Sequence, residues 1–161
     1  VSAGESPAAT ARRLLAGAGH GVLASQLAPD DDAAPSGACQ PYATLVQIAP
    51  QPHGAVLLLL SDLARHTRNI AANARCGLLV DATEDGPDRL AGARLALIGA
   101  IAPAADQAAA KAAFLARHPE ARDYAGFGDF RCYSLAVECG DLVAGFGRIE
   151  RIPGPDLALR T

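Results

Sequence analysis

AVLLLLSDLARHTRNI, residues Ala55 to Ile70, joins an unbroken apolar run to a segment dense in hydroxyls and guanidiniums. The run from Ala55 to Leu60 carries no polar residue on either parity. A strand shows alternate side chains to opposite faces, so this strand needs cover on both. Left at an open sheet edge it would be an aggregation hazard, and barrel closure removes such edges. The polar segment follows at once, with Ser61 and Asp62 as cap candidates for a short helix ending near Ala74.

Working outward, further strands are expected at His20–Leu27 (HGVLASQL), Pro41–Ile48 (PYATLVQI) and Gly77–Asp81 (GLLVD). Others are expected at Arg94–Ala102 (RLALIGAIA), Asp129–Cys139 (DFRCYSLAVEC) and Leu142–Ile152 (LVAGFGRIERI), the last two separated by a turn at Gly140-Asp141. Gly145 and Gly147 would allow a bend or a close ligand approach in the last strand. Ser6-Pro7 reads as a helix start, with Gly17 and Gly19 as its stop. Pro103 opens an alanine-rich helix to about His118, placed on the outside of a sheet, and a helical turn follows around Glu120 to Tyr124. Polar loops are expected at Pro29–Gly37 and Thr83–Gly92, and a loose tail from Pro153. Short consecutive connections leave no room for parallel crossovers. The expected fold is mostly β with peripheral helices, an antiparallel barrel of roughly six or seven strands.

Composition narrows the function classes. The 161 residues suit one domain, and with 50% hydrophobic and 19% charged residues the chain can bury a core. The net charge of −3 argues against a nucleic-acid binder, whose footprint is a basic stripe. Lys111 is the only lysine; the excess of Arg, Ala, Gly and Pro fits a GC-rich bacterial gene, so most individual arginines need no functional explanation. Cys39, Cys76, Cys132 and Cys139 form no C-x-x-C and read as reduced, half-buried thiols of a cytoplasmic protein. Val1 to Thr10 has no apolar signal core, and a start at Val1 without Met suggests a trimmed chain. No apolar run approaches the ~20 residues that span a bilayer, so no membrane partner is expected.

Several chemistries are excluded by pattern. Gly17-Ala18-Gly19-His20-Gly21 lacks the third glycine of a dinucleotide fingerprint and follows a helix. There is no Walker A lysine, no H-E-x-x-H and no G-x-S-x-G. His20, His53, His66 and His118 are scattered singly, and Asp30-Asp31-Asp32 reads as a solvated loop rather than a metal site. What remains is Ser61 to Ile70, where Ser61, His66, Thr67 and Arg68 sit near a helix start. Guanidinium, hydroxyl and amide donors together suit a dianionic phosphate. An ordinary capped helix with arginines on its wet face is the simpler alternative. Thr44 inside PYATLV and Arg94 opening RLALIG are further polar residues in apolar contexts; a β-branched strand filler and a strand-end charge are their plainer readings.

Taken in order, ARRLLAGAGHGVLAS (Ala11–Ser25), PYATLVQIA (Pro41–Ala49), LLLLSDLARHTRNI (Leu57–Ile70), ARLALIGA (Ala93–Ala100), ARHPEARDYAGFGDFRCYSLAV (Ala116–Val137) and LVAGFGRIERI (Leu142–Ile152) resemble the FMN-binding split-barrel family of pyridoxamine 5′-phosphate oxidase, closest to its haem-utilisation (HugZ-type) branch. The resemblance implies one FMN-binding domain over residues 1–152, a tail at 153–161, and a homodimer with FMN in a groove between subunits. It implies that the strand from Tyr42 through Thr44 to Val46 runs along the flavin, that Ser61, His66, Thr67 and Arg68 grip its phosphate, and that Arg94 approaches its ring. Asn69, Phe130 and Phe146 are weaker carry-overs, and no catalytic side chain is singled out. The arginine- and histidine-containing motif that binds pyridoxal phosphate in true oxidases is absent, so vitamin B6 oxidation is not expected. The extra C-terminal domain of longer haem-utilisation relatives is also absent from the chain, which stops at Thr161. The implied function is an FMN-dependent oxidoreductase of unknown substrate. The alternatives are a haem-binding or haem-degrading protein, with His20 or His118 as axial ligand, and a flavin-binding module without turnover.

Overall fold

The computed structural model describes residues 5–33, 39–81, 92–144 and 149–159. Gly145, Phe146, Gly147, most of the loop expected at Thr83–Gly92 and part of that at Pro29–Gly37 lie outside the described residues. The chain runs α1 (Pro7–Gly17), β1 (His20–Gln26), β2 (Pro41–Gln47), β3 (Ala49–Pro50), β4 (Val56–Ser61), α2 (Arg65–Ala72), β5 (Arg75–Asp81) and β6 (Arg94–Pro103). It continues with α3 (Gln107–Arg117), a 3₁₀ turn (Pro119–Ala121), α4 (Arg122–Ala125), β7 (Phe130–Val143), β8 (Ile149–Pro153) and a last 3₁₀ turn (Gly154–Leu157). The strands form one sheet in the order β2-β1-β5-β6-β7-β4-β3, with β8 on β7. Every pairing is antiparallel. Among the described residues no helix is long and apolar enough to cross a membrane.

Strand β4 is covered on both faces, as its composition demands. Val56, Leu58 and Leu60 point into the barrel core with Leu15, Leu23, Leu95, Leu97 and Leu135. Leu57 and Leu59 point the other way, into a second cluster with Phe114 of α3 and Ala121 and Ala125 of the turns that follow. The amphipathic α3 is thus the lid that lets an all-apolar strand exist. Its N-cap is Asp106, which accepts from Ala109 N at 2.9 Å, rather than the expected Pro103, which ends β6. Ser6 caps α1 as expected, accepting from Ala9 N at 3.3 Å.

Three local expectations are corrected. Gly140-Asp141 is not a turn: β7 runs unbroken to Val143 and pairs with β4, β6 and β8. Gly140 is small for packing, since a Cβ there would lie 2.9 Å from Leu95 Cδ1 and 3.1 Å from Leu97 Cδ2. The strand expected at Leu142–Ile152 is therefore split, its first residues belonging to β7 and its last to β8. The tail beyond Ile152 is not all loose, because Leu157 is fully buried in the barrel core. The expected antiparallel split barrel is present, and the described strands number eight when the two-residue β3, which pairs briefly with Leu57 and Val56, is counted separately.

The sheet curls until β2, at one end of its order, approaches β4 near the other, without strand pairing between them. The brief β3 pairing leaves Leu58 to Ser61 of β4 unpaired on that side. The barrel is therefore split along the β2–β4 line. If α3 is the cover that β4 requires, Phe114→Ala should lower stability by about 3–5 kcal/mol in urea denaturation. A loss under about 1 kcal/mol would contradict this packing.

Candidate functional site

The split holds a cleft of about 330 Å³. Leu45, Val46 and Gln47 of β2 form one wall; Leu60 and Ser61 of β4, with Tyr124 of α4 and Phe130 of β7, form another. His66, on the first turn of α2, lines it as well. Its Nε2 is buried and has no hydrogen-bond partner. Burial holds its pKa below the ordinary histidine value, so the neutral ring is favoured. A buried polar atom without a partner is uncommon and calls for an explanation.

The other polar groups of the cleft are engaged. Ser61 Oγ donates to Asp129 Oδ2 at 2.5 Å and accepts from Leu63 N at 3.1 Å. Tyr124 Oη donates to Gln47 Oε1 at 2.7 Å, and Gln47 Nε2 donates to Glu120 Oε1 at 2.8 Å. Backbone amide donation at Glu120 and its side-chain contacts with His118 and Gln47 hold that carboxyl below the usual range. His118 is buried, its Nε2 2.8 Å from Ile48 O and its Nδ1 3.2 Å from Glu120 Oε1.

Of the residues expected in the site, Val46, Ser61 and His66 line the cleft. The rest are placed elsewhere. Thr67 is buried and its hydroxyl donates to Ser61 O at 2.7 Å, tying α2 to the end of β4. Arg68 is exposed. Tyr42 and Thr44 are half-buried on β2, opposite Ser25 and Leu23 of β1, with the Arg65 guanidinium 5.9 Å from the Tyr42 ring centre. Arg94 opens β6, opposite Asp81 and Val143. Asn69 is a fold residue: fully buried, it accepts from Ala28 N at 3.0 Å and donates to Ser25 Oγ at 3.1 Å. The expected phosphate grip is thus not assembled around one cavity, and the Asp129 carboxylate bonded to Ser61 would repel a dianion.

His20 is exposed at the start of β1, and both ring nitrogens of His118 face protein acceptors. His118 therefore offers no bare nitrogen to an iron, and His20 is not among the residues that line the cleft. Gln47, Tyr124, Glu120 and Asp129 carried no sequence signal, because they meet only when the sheet curls. A second groove holds Cys39, Cys76 and Arg75, but burial pushes the Cys76 thiol up to about 11, so it is not a thiolate nucleophile at neutral pH.

Removing the Asn69 amide leaves buried groups without partners, so Asn69→Ala should cost about 1–3 kcal/mol in urea denaturation. Arg68→Ala should stay within about 0.5 kcal/mol of the parent. The reverse order would show that the roles of these neighbours are misassigned.

The chain is 36% identical over 142 residues to the atypical heme oxygenase HOZ of the Arabidopsis thaliana chloroplast, covering 87% of this chain but 41% of that protein. A heme binding protein from Mycobacterium smegmatis is 31% identical with a TM-score of 0.83, over 98% of this chain and 62% of its own. HutZ, the heme storage protein of Vibrio cholerae, shares the fold at 19% identity and a TM-score of 0.67, over 83% and 91% of the two chains. The chain thus spans less than two thirds of the first two relatives. The split-barrel resemblance, and within it the haem-utilisation branch, holds. The expectation of FMN as cofactor does not: these relatives are named for haem, and the hydroxyls meant for the flavin phosphate are committed within the protein. Residues 3–157 match the family described as CREG, β-barrel, and the chain belongs to that family.

Proposed function

We propose that this domain binds haem in the β2–β4 cleft, with His66 as the axial ligand. The observation that carries the proposal is the His66 Nε2 atom, buried in the cleft wall with no partner. Neutral imidazole is the form that ligates a metal, and burial favours that form here. Leu45, Val46, Leu60 and Phe130 would meet the apolar macrocycle. Bound haem would supply the iron chemistry; the protein would supply the ligand, the apolar walls and the exclusion of water. The haem proteins among the relatives support the same reading.

A porphyrin is larger than this cleft and would project from it. Leu45 at the cleft is 69% exposed, and Val22 and Leu79 beside it in the sheet are also exposed. Contiguous apolar surface of this kind marks an interaction face. A second copy of the chain laid on it would complete the haem-binding wall, so the proposed working form is a homodimer. The name of the Arabidopsis relative favours a second reading, oxidative breakdown of haem given a reductant and dioxygen. Release of iron during that incubation would separate turnover from binding alone.

Titration with haemin should give a Soret shift in the parent, and His66→Ala should weaken binding by at least about tenfold. An unchanged affinity in the variant, or no shift in the parent, would contradict the assignment. Binding should weaken as pH falls through the lowered pKa of His66, because protonation removes the lone pair, and that fall should lie below 6.5. Stability should move the same way. The unfolded chain protonates His66 first, so its contribution is present above 6.5 and lost as pH falls through the folded value.

A further inference from the structure

Both hydroxyl groups of the cleft have their hydrogens taken by acceptors within the protein. The Ser61 hydrogen is taken by Asp129 at 2.5 Å. The Tyr124 hydrogen is taken by Gln47, and its direction is imposed from outside the cleft. An ionised carboxylate only accepts, so Glu120 fixes the Gln47 amide with its nitrogen outward and its oxygen toward Tyr124. The phenol must then donate. Toward a ligand the two hydroxyls can then only accept, and the second Gln47 N–H is the one side-chain donor left in this network. A bare nitrogen at Nε2 of His66 adds a third acceptor, with the ring proton on Nδ1, since a buried N–H without a partner is the rarer arrangement. No lysine or arginine lines the cleft among the described residues. The free strand edges carry N–H and C=O groups in equal number and do not tip the balance.

We infer that the cleft is acceptor-lined, and that Glu120 and Asp129 are positioning residues that make it so. It selects a cationic or hydrogen-bond-donating ligand edge, or a Lewis-acidic metal centre, and it rejects carboxylate and phosphate. The inference concerns the same cleft as the haem reading and deepens it. A porphyrin would present its iron and its apolar edge to the cleft, and its two carboxylates would stay outside. It rests on that reading only for this porphyrin consequence; the charge preference stands by itself.

The test uses benzamidine and benzoate, a cation and an anion of nearly the same shape. Each is titrated into the isotope-labelled chain, following the NMR signals of Gln47, His66 and Tyr124. Benzamidine should bind at least about tenfold more tightly than benzoate, with shifts confined to the cleft. In both Glu120→Gln and Asp129→Asn the preference should fall to about threefold or less, because each variant removes a negative charge from beside the cleft. The backbone spectrum of each carboxylate variant confirms that it is folded. Equal or tighter benzoate binding, no cleft shift with either probe, or an unchanged preference in both carboxylate variants would overturn the inference. Failure of the haemin titration with this preference intact would overturn the haem reading alone.

Discussion

Strand β4 has no face for water, and the architecture follows from that. Its even positions fill the barrel and its odd positions are roofed by α3 and the turns behind it. The layer that roofs it also delivers Tyr124 and Glu120 to the β2–β4 line. Burial of the strand and construction of the cleft are thus one event. The hydrophobic term dominates folding, so the site's polar residues are positioned by apolar ones. Phe114 touches no proposed ligand, yet it underlies the helix that holds this wall.

The split is what remains when a curled sheet does not close. β2 and β4 approach at a spacing set by side chains instead of ladder hydrogen bonds. Exposed strand edges are ordinarily hazards, and here they frame the place where, among the described residues, a buried imidazole nitrogen lacks a partner. The same backbone that could hold a phosphate through Ser61 and Thr67 instead spends those hydroxyls internally. One acidic side chain, Asp129, takes the Ser61 hydrogen that a phosphate oxygen would otherwise accept.

Much of the fold was legible in the sequence. Period-two alternation marks β1 and β7, and the unbroken apolar run marks β4. Gly140 misled because a glycine before an aspartate reads as a turn, whereas here it makes room for Leu95 and Leu97 across the barrel. The site was half legible. The polar segment after β4 stands out by its composition, but residue types do not show which hydroxyl is already engaged. Asp129 lies 68 positions from Ser61, and Tyr124 lies 77 from Gln47. Such pairings are made by the curl of the sheet and leave no local periodicity.

The state of one nitrogen decides between the readings. The most direct measurement is a nitrogen–proton correlation spectrum of the His66 ring in the ligand-free chain, before and after zinc protoporphyrin is added. A diamagnetic metal keeps the signal visible. The expected result is a neutral ring whose Nε2 carries no proton and whose resonance moves when the metalloporphyrin binds. A protonated Nε2 in the free protein, or a resonance that the metalloporphyrin leaves in place, would contradict the assignment of this cleft.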